Sequence, residues 1–155
     1  YHENYISELK SLLKEYDVSA SYITLEVLES TVIEDFKLFN QILLEVKKLG
    51  FSVSLDDFGS GYSSLNVLSK LTIDELKIDR IFLHIDSDLE NKKTKWILEG
   101  IISIAKKSNI RVVVEGVESS KDDEFIRCLG ANVGQGYYYS RLLSIDAFND
   151  LIHKK

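Results

Sequence analysis

The chain is 155 residues long, with 45% hydrophobic, 10% aromatic and 28% charged side chains, the profile of one folded globular domain rather than a disordered tract. Its 19 basic and 25 acidic residues leave a formal charge of −6, so no global positive field exists to hold a DNA or RNA polymer or an anionic membrane, and any phosphate must be bound at a local site. A single cysteine, Cys128, allows no internal disulfide, no secretory pattern opens the chain and the apolar runs are too short to cross a bilayer; a reducing, cytoplasmic setting is expected, whatever membrane attachment other domains of a parent provide.

The chain starts at Tyr1 and contains neither methionine nor proline, which reads as a segment of a longer product. Apolar residues at steps of three and four, Ile6, Leu9, Leu13 and Tyr16, predict an opening helix. Residues 22–27 read as a strand, and Phe36, Phe39, Leu43 and Val46 mark a helix stopped at Gly50. The next strand covers 51–56; a turn at Gly59 and Gly61 leads to a short helix carrying Tyr62, Leu65 and Leu68, then a strand over 75–79. A helix near Trp96, Ile97, Ile101 and Ile104 precedes a β-branched strand over 110–115. A helix with Phe125, Ile126 and Leu129 stops at Gly130; a short strand over 133–135 and a helix around Ile145, Phe148 and Ile152 complete about five βα units.

Regular strand–helix alternation implies a parallel sheet with right-handed crossovers. At about 31 residues per unit, eight units make a barrel, so this length fits part of one; a five-stranded doubly wound sheet fits it equally well. Strand parity separates the two. Thr24 and Glu26 oppose Ile23, Leu25 and Val27; Ser52, Ser54 and Asp56 oppose Phe51, Val53 and Leu55. Likewise Glu75, Lys77 and Asp79 oppose Leu76 and Ile78, and Arg111, Val113 and Glu115 oppose Val112 and Val114. Strands covered by helices on both faces are apolar throughout. These have one polar face, which suits a barrel lumen with a hydrated, charged mouth.

Each polar face ends in charge at the strand's C-terminal end: Glu26, Asp56 with Asp57, Lys77, and Glu115. Ligands bind at that end in parallel α/β folds. Convergent carboxylates repel unless cations sit between them, so a pair of hard divalent ions, Mg²⁺ or Mn²⁺, with oxygen ligands is expected. Lys77, among carboxylates, is expected as an ammonium that orients the attacking water rather than as an amine base. Any one of these acids alone reads as a solvated strand end or helix cap; their shared parity and shared end carry the functional reading.

The segments Leu25-Glu26-Val27-Leu28-Glu29-Ser30, Asp56-Asp57-Phe58-Gly59-Ser60-Gly61-Tyr62-Ser63-Ser64-Leu65, Leu76-Lys77-Ile78-Asp79-Arg80 and Val114-Glu115-Gly116-Val117-Glu118-Ser119 resemble successive signatures of the EAL-domain cyclic-di-GMP phosphodiesterases. Gln135-Gly136-Tyr137 followed by Ser140-Arg141 is similar to their C-terminal signature. The resemblance runs over 22–151 in the family's order. It implies a TIM-like (β/α)8 barrel, present here as an incomplete barrel of about five units, with 1–155 the C-terminal portion of one domain. The implied activity is metal-dependent hydrolysis of cyclic-di-GMP to linear pGpG. By matching position, Glu26, Asp56, Asp57 and Glu115 are implied metal ligands, Lys77 the contact to the attacking water, and Gln135 a helper at substrate or water. Glu29 is implied to anchor the loop of Gly59, Ser60 and Gly61, Glu118 to support from behind, and the loop with its helix to contribute to a homodimer.

The Glu-Ala-Leu segment itself and a later Asn ligand are not in the sequence, and five strands cannot close a barrel, so this segment alone is expected to be inactive or weak. Leu28, Ser60, Val114 and Leu142 stand where the family usually has Thr, Thr, Ala and Pro. A non-catalytic module that binds cyclic-di-GMP or a protein is the alternative from another class; a barrel enzyme using Lys77 as a base fits the charges but not the motif order. His2, His84 and His153 lack ligand spacing, Cys128 reads as a small buried hydrophobe, and Ser60, Ser63 and Ser64 are candidate helix caps. Tyr137, Tyr138 and Tyr139 read as strand packing at the rim more than as a base-stacking surface, and Lys92, Lys93 and Lys95 as a solvated face.

Overall fold

A computed structural model describes residues 2–32, 36–60, 65–83 and 88–153. Five strands, β1 (Thr24–Leu28), β2 (Ser52–Phe58), β3 (Glu75–Ile78), β4 (Arg111–Val114) and β5 (Val133–Gly134), pair in parallel in the order β1-β2-β3-β4-β5. The helices are α1 (His2–Glu15), α2 (Glu29–Val32), α3 (Phe36–Lys48), α4 (Leu65–Lys70), α5 (Asp88–Lys107), α6 (Ser120–Leu129) and α7 (Ile145–His153). Strand order decides between the two architectures that length left open. A doubly wound sheet reverses direction at a switch point. Here each strand lies beside its predecessor, so right-handed crossovers carry the helices to one face and leave the other as a lumen.

The core lies between sheet and helices. Leu55, Phe58, Leu76, Ile78, Val112 and Val114 point outward from the sheet and pack with Leu43 and Val46 of α3, Leu98, Ile102 and Ala105 of α5, and Ile126 of α6. Gly130 ends α6 in the left-handed region at φ 79°, where no Cβ hinders the turn of the chain into β5. Side chains fasten the strand starts, at the end opposite the charged lumen. The Val53 N–H donates to Asp74, which also pairs with Lys47; the Val112 N–H donates to Asn132; and Arg111 pairs with Glu75.

Several expectations are corrected. Residues Ala20–Tyr22 form a 3-10 turn, so the first strand begins at Thr24; the last ends at Gly134, one residue before Gln135. Along α5 the buried positions are Leu98, Ile101, Ile102 and Ala105, while Trp96, Ile97 and Ile104 are exposed. Cys128 is exposed, not buried, because α6 turns Ile126 toward the core and a residue two places on faces away. Tyr137, Tyr138 and Tyr139 lie in a turn after β5, not in a strand, and all are well exposed. Lys92, Lys93 and Lys95 are exposed as expected. Gly61, Tyr62, Ser63, Ser64 and His84 lie outside the described residues.

Leu76 is fully buried in the central strand. Leu76→Ala is expected to cost about 2–5 kcal/mol, read as a lowered urea midpoint at unchanged m-value.

Candidate functional site

The lumen face carries Glu26, Ser54, Asp56, Lys77 and Glu115 from four successive strands, and the last residues of those strands meet at one end. Lys77 is the centre of this end. Its Nζ lies 3.0 Å from Glu26 Oε1, 2.9 Å from Asp56 Oδ1 and 2.9 Å from Glu115 Oε1, with the side chain 8% exposed. Burial pulls the lysine pKa down, but the hydrogen bonds to Glu115, Asp56 and Glu26 more than offset it and hold the group well above its ordinary range. Lys77 is therefore an ammonium throughout the neutral range, the state expected from sequence.

Two adjacent aspartates reach the same lumen because β2 breaks its alternation there. Ser54 and Leu55 pair with Glu75 and Leu76, but Phe58 pairs with Ile78, so one extra residue of β2 bulges between Leu55 and Phe58. Asp57 takes φ 56°, a left-handed conformation uncommon outside glycine, and its N–H donates to Asp56 Oδ1 at 3.0 Å. The carbonyl of Asp57 accepts from both the N–H and the hydroxyl of Ser60, which closes the turn. Ser60 thus serves this turn; the residues it was expected to cap, 61–64, lie outside the described ones. At Gly59, φ 105°, an added Cβ would strike the Phe82 ring.

With the bulge in place, one carboxylate oxygen each from Asp56, Asp57 and Glu115 lie within 4.8 Å of one another. Three partly buried carboxylates are an all-oxygen donor set that fits a hard divalent cation. Glu26 is brought to Lys77, half-exposed, but not into that group of three. Glu29 is buried at the start of α2; the loop it was expected to anchor is only partly within the described residues.

A cavity of about 360 Å³ opens beside the cluster, walled by Asp57, Asp79, Arg80, Glu115, Glu118 and Gln135. Glu115 is set by its N–H bond to Ile78, and Gln135 by bonds to Val114 and Val117. Glu118 is placed through the start of α6, where Ser119 and Asp122 form a reciprocal cap and Asp122 also accepts from the Glu118 N–H. Asp79 and Arg80 belong to a quoted motif but were given no role from sequence, although they stand two and three residues after Lys77 at the same strand end; Asp79 Oδ1 accepts the Ile81 N–H and turns the chain there.

A family model described as "EAL domain" matches residues 1–142. The cyclic di-GMP phosphodiesterase PdeR of Escherichia coli is 35% identical over 141 residues, covering 90% of this chain and 21% of its own length. Among solved structures, the EAL enzyme Bd1971 in its cAMP- and cyclic-di-GMP-bound form superposes with a TM-score of 0.87 at 32% identity, covering 96% of this chain and 39% of that one. Klebsiella pneumoniae BlrP1 in a manganese and cy-diGMP complex superposes at 0.81 with 27% identity, covering 91% of this chain and 36% of that one. The chain thus spans about a fifth of the length of the curated relatives it matches and presents an incomplete barrel of the TIM type.

The turn that follows Gln135 is tied to α6. The Tyr139 hydroxyl donates to Asp123 Oδ1 at 2.6 Å, and Arg127 Nε donates to both Asp123 oxygens. The Tyr139 ring lies so close to Gly134 that no Cβ could stand there. Although Tyr139 is exposed, local desolvation of its phenol and the Asp123 bond push it up to about 12, while the bonds from Tyr139 and Arg127 hold the Asp123 carboxyl below its usual range. A raised phenol pKa favours the folded state below the unfolded value of about 10, and that contribution fades as pH rises through the folded value. In an absorbance titration, the difference between the parent chain and Tyr139→Phe should show one phenol ionising at about 12. Asp123→Asn should return it only partway toward about 10, because the local desolvation of the phenol remains.

Proposed function

Because the chain belongs to the EAL-domain family, we propose that its charged lumen end is the catalytic face of a cyclic-di-GMP phosphodiesterase, which cleaves one phosphodiester to give linear pGpG. The observation that carries the reading is the convergence of Lys77 with Glu26, Asp56 and Glu115 beside the three-carboxylate group of Asp56, Asp57 and Glu115. Asp56, Asp57 and Glu115, with Glu26 as a further ligand, would hold Mg²⁺ or Mn²⁺. When bound, such ions neutralise the phosphate and lower the barrier to attack of water at phosphorus.

The other steps fall to the chain's own groups. Lys77, fixed as an ammonium, donates from Nζ: it orients the attacking water and stabilises charge that develops on the phosphoryl oxygens. Gln135, on the cavity wall, orients water or substrate through its amide, and Glu118 supports it from the same wall. Glu29 and the turn of Gly59 and Ser60 keep the bulge of β2 in shape. Nothing in this scheme calls for Lys77 to lose its proton.

A second reading, a module that binds cyclic-di-GMP or a protein without turnover, is favoured by one observation: among the described residues β1 and β5 each have a single neighbour, so the lumen is open on one side. We infer from the same feature, and from the lack of a Glu-Ala-Leu segment in the sequence, that the 155-residue chain alone is a weak catalyst at most.

A homodimer belongs to the proposal as well. Phe58, Phe82, Trp96, Ile97, Ile101 and Ile104 line an apolar groove of about 490 Å³ along α5, against the turn at Gly59, with Trp96 66% exposed. A second copy of the same face is its proposed occupant, an isologous contact reaching the turn that carries Asp57.

Chromatography of cyclic-di-GMP incubated with Mn²⁺ tests the activity. A parent-length protein should release pGpG, and Lys77→Ala should lower turnover by at least about 10²-fold while metal-dependent ligand binding persists. A folded Lys77→Ala variant with undiminished turnover would remove Lys77 from the mechanism. Binding without product in the parent-length protein would select the non-catalytic reading. For the dimer, light scattering should give twice the chain mass, falling to the monomer in Ile97→Asp.

A further inference from the structure

The cavity beside the cluster has an unusual charge balance for a site that takes up an anion. Asp57, Asp79, Glu115 and Glu118 put four carboxylates on its wall, and among the described residues Arg80 is the sole basic side chain there. Lys77 does not line this cavity; its ammonium is paired with Glu26, Asp56 and Glu115. Arg141 is set over the Tyr137 ring, 5.2 Å from its centroid, and does not line the cavity.

Arg80 is held there by its stem rather than by its charge. Gly116 takes φ 71°, and a Cβ on it would collide with the Arg80 Cβ and crowd Cγ and Cδ, so the alkyl chain lies across the bare Gly116 backbone. Asp79 caps the 3-10 turn Arg80–Phe82 through the Ile81 N–H, which fixes the backbone from which the stem departs. Among the described residues the guanidinium forms no ion pair, although the cavity wall is acidic. Arg80 is exposed, and a guanidinium carried on a stem placed in this way, with no ion pair among the described residues, matches a phosphate diester in charge and in planar, two-pronged geometry.

A cyclic dinucleotide carries two phosphodiesters. If the one to be cleaved is held at the group of Asp56, Asp57 and Glu115, the other would face the acidic wall of the adjoining cavity and would need a cation of its own. Resting on the cyclic-dinucleotide reading above, we propose that Arg80 binds the phosphodiester that is not cleaved and so selects a dinucleotide over a mononucleotide. The acidic wall around it then adds selectivity, since an anion placed anywhere but at Arg80 meets carboxylates. Gly116 is part of the same device, because any side chain there would displace the stem.

The test is calorimetric binding in the presence of calcium, with cyclic-di-GMP and 5′-GMP as probes. Arg80→Met keeps the stem over Gly116 and removes the guanidinium. It should weaken cyclic-di-GMP by about tenfold or more, the loss expected for a charge-assisted hydrogen bond, and leave 5′-GMP, which has the same base and one phosphate, unchanged. Arg80→Lys should recover part of the loss. Equal weakening of both probes would overturn the proposal in favour of a base contact, and unchanged affinity for cyclic-di-GMP in Arg80→Met would overturn it outright. Failure of the unsubstituted protein to bind cyclic-di-GMP would remove the cyclic-dinucleotide reading itself, and this assignment with it. A urea midpoint for each variant verifies that the folded chain is being compared, and Arg80→Gln is the substitute where Met lowers it.

Discussion

One ammonium group joins four strands. Lys77 stands on β3, yet its Nζ bonds carboxylates on β1, on β2 and just past β4, so the C-terminal end of the sheet is held in a curve around a single positive charge. The arrangement is balanced: without Lys77 three carboxylates would face one another across a lumen, and without them a buried lysine would be driven toward its neutral form. Because the group lies on the lumen side, it contributes nothing to the apolar core on the other face of the same strands. Leu76 and Ile78 secure β3 to the helices, while Lys77 between them secures the site.

The second constraint is the bulge in β2. Alternation alone would send Asp57 outward into the helix layer, where a carboxylate has no partner. One extra residue rotates it back to Asp56, and the left-handed backbone at Asp57, the Ser60 bonds and the bare Gly59 against Phe82 hold that rotation. The short segment therefore stores local strain where acids are concentrated. Its far side is continuous with the apolar groove along α5, so the turn that sets Asp57 is also part of the face proposed for the dimer.

Much of the site was legible in the linear order of residues, because parallel βα units place every strand end at one rim and parity then sorts the side chains. Glu26, Asp56, Lys77 and Glu115 follow from those two rules, and the motif order added Gln135 and Glu118. What parity could not supply was Asp57, whose place depends on a bulge, or Arg80, whose place depends on a glycine 36 positions along the chain. The errors have a common source. Trp96, Ile97 and Ile104 fit a helical stripe as well as Leu98, Ile102 and Ala105 do, and only the sheet on one side of α5 determines which stripe is buried. Cys128 was misplaced for the same reason, one helix later.

The sequence by itself determined the alternation of elements, the amphipathic strands, the family, and which residue types gather at the strand ends, since all of these follow from local periodicity and spacing. Tertiary structure alone decided that the strands run in simple order around a lumen, that Glu26 turns to Lys77 rather than into the group of Asp56, Asp57 and Glu115, and that Tyr139 ties the Gln135 wall to Asp123. The physical reason is range. Period and propensity act over a few residues, whereas ion pairs, bulge register and the choice of buried face are set by groups that meet only after the chain has closed on itself.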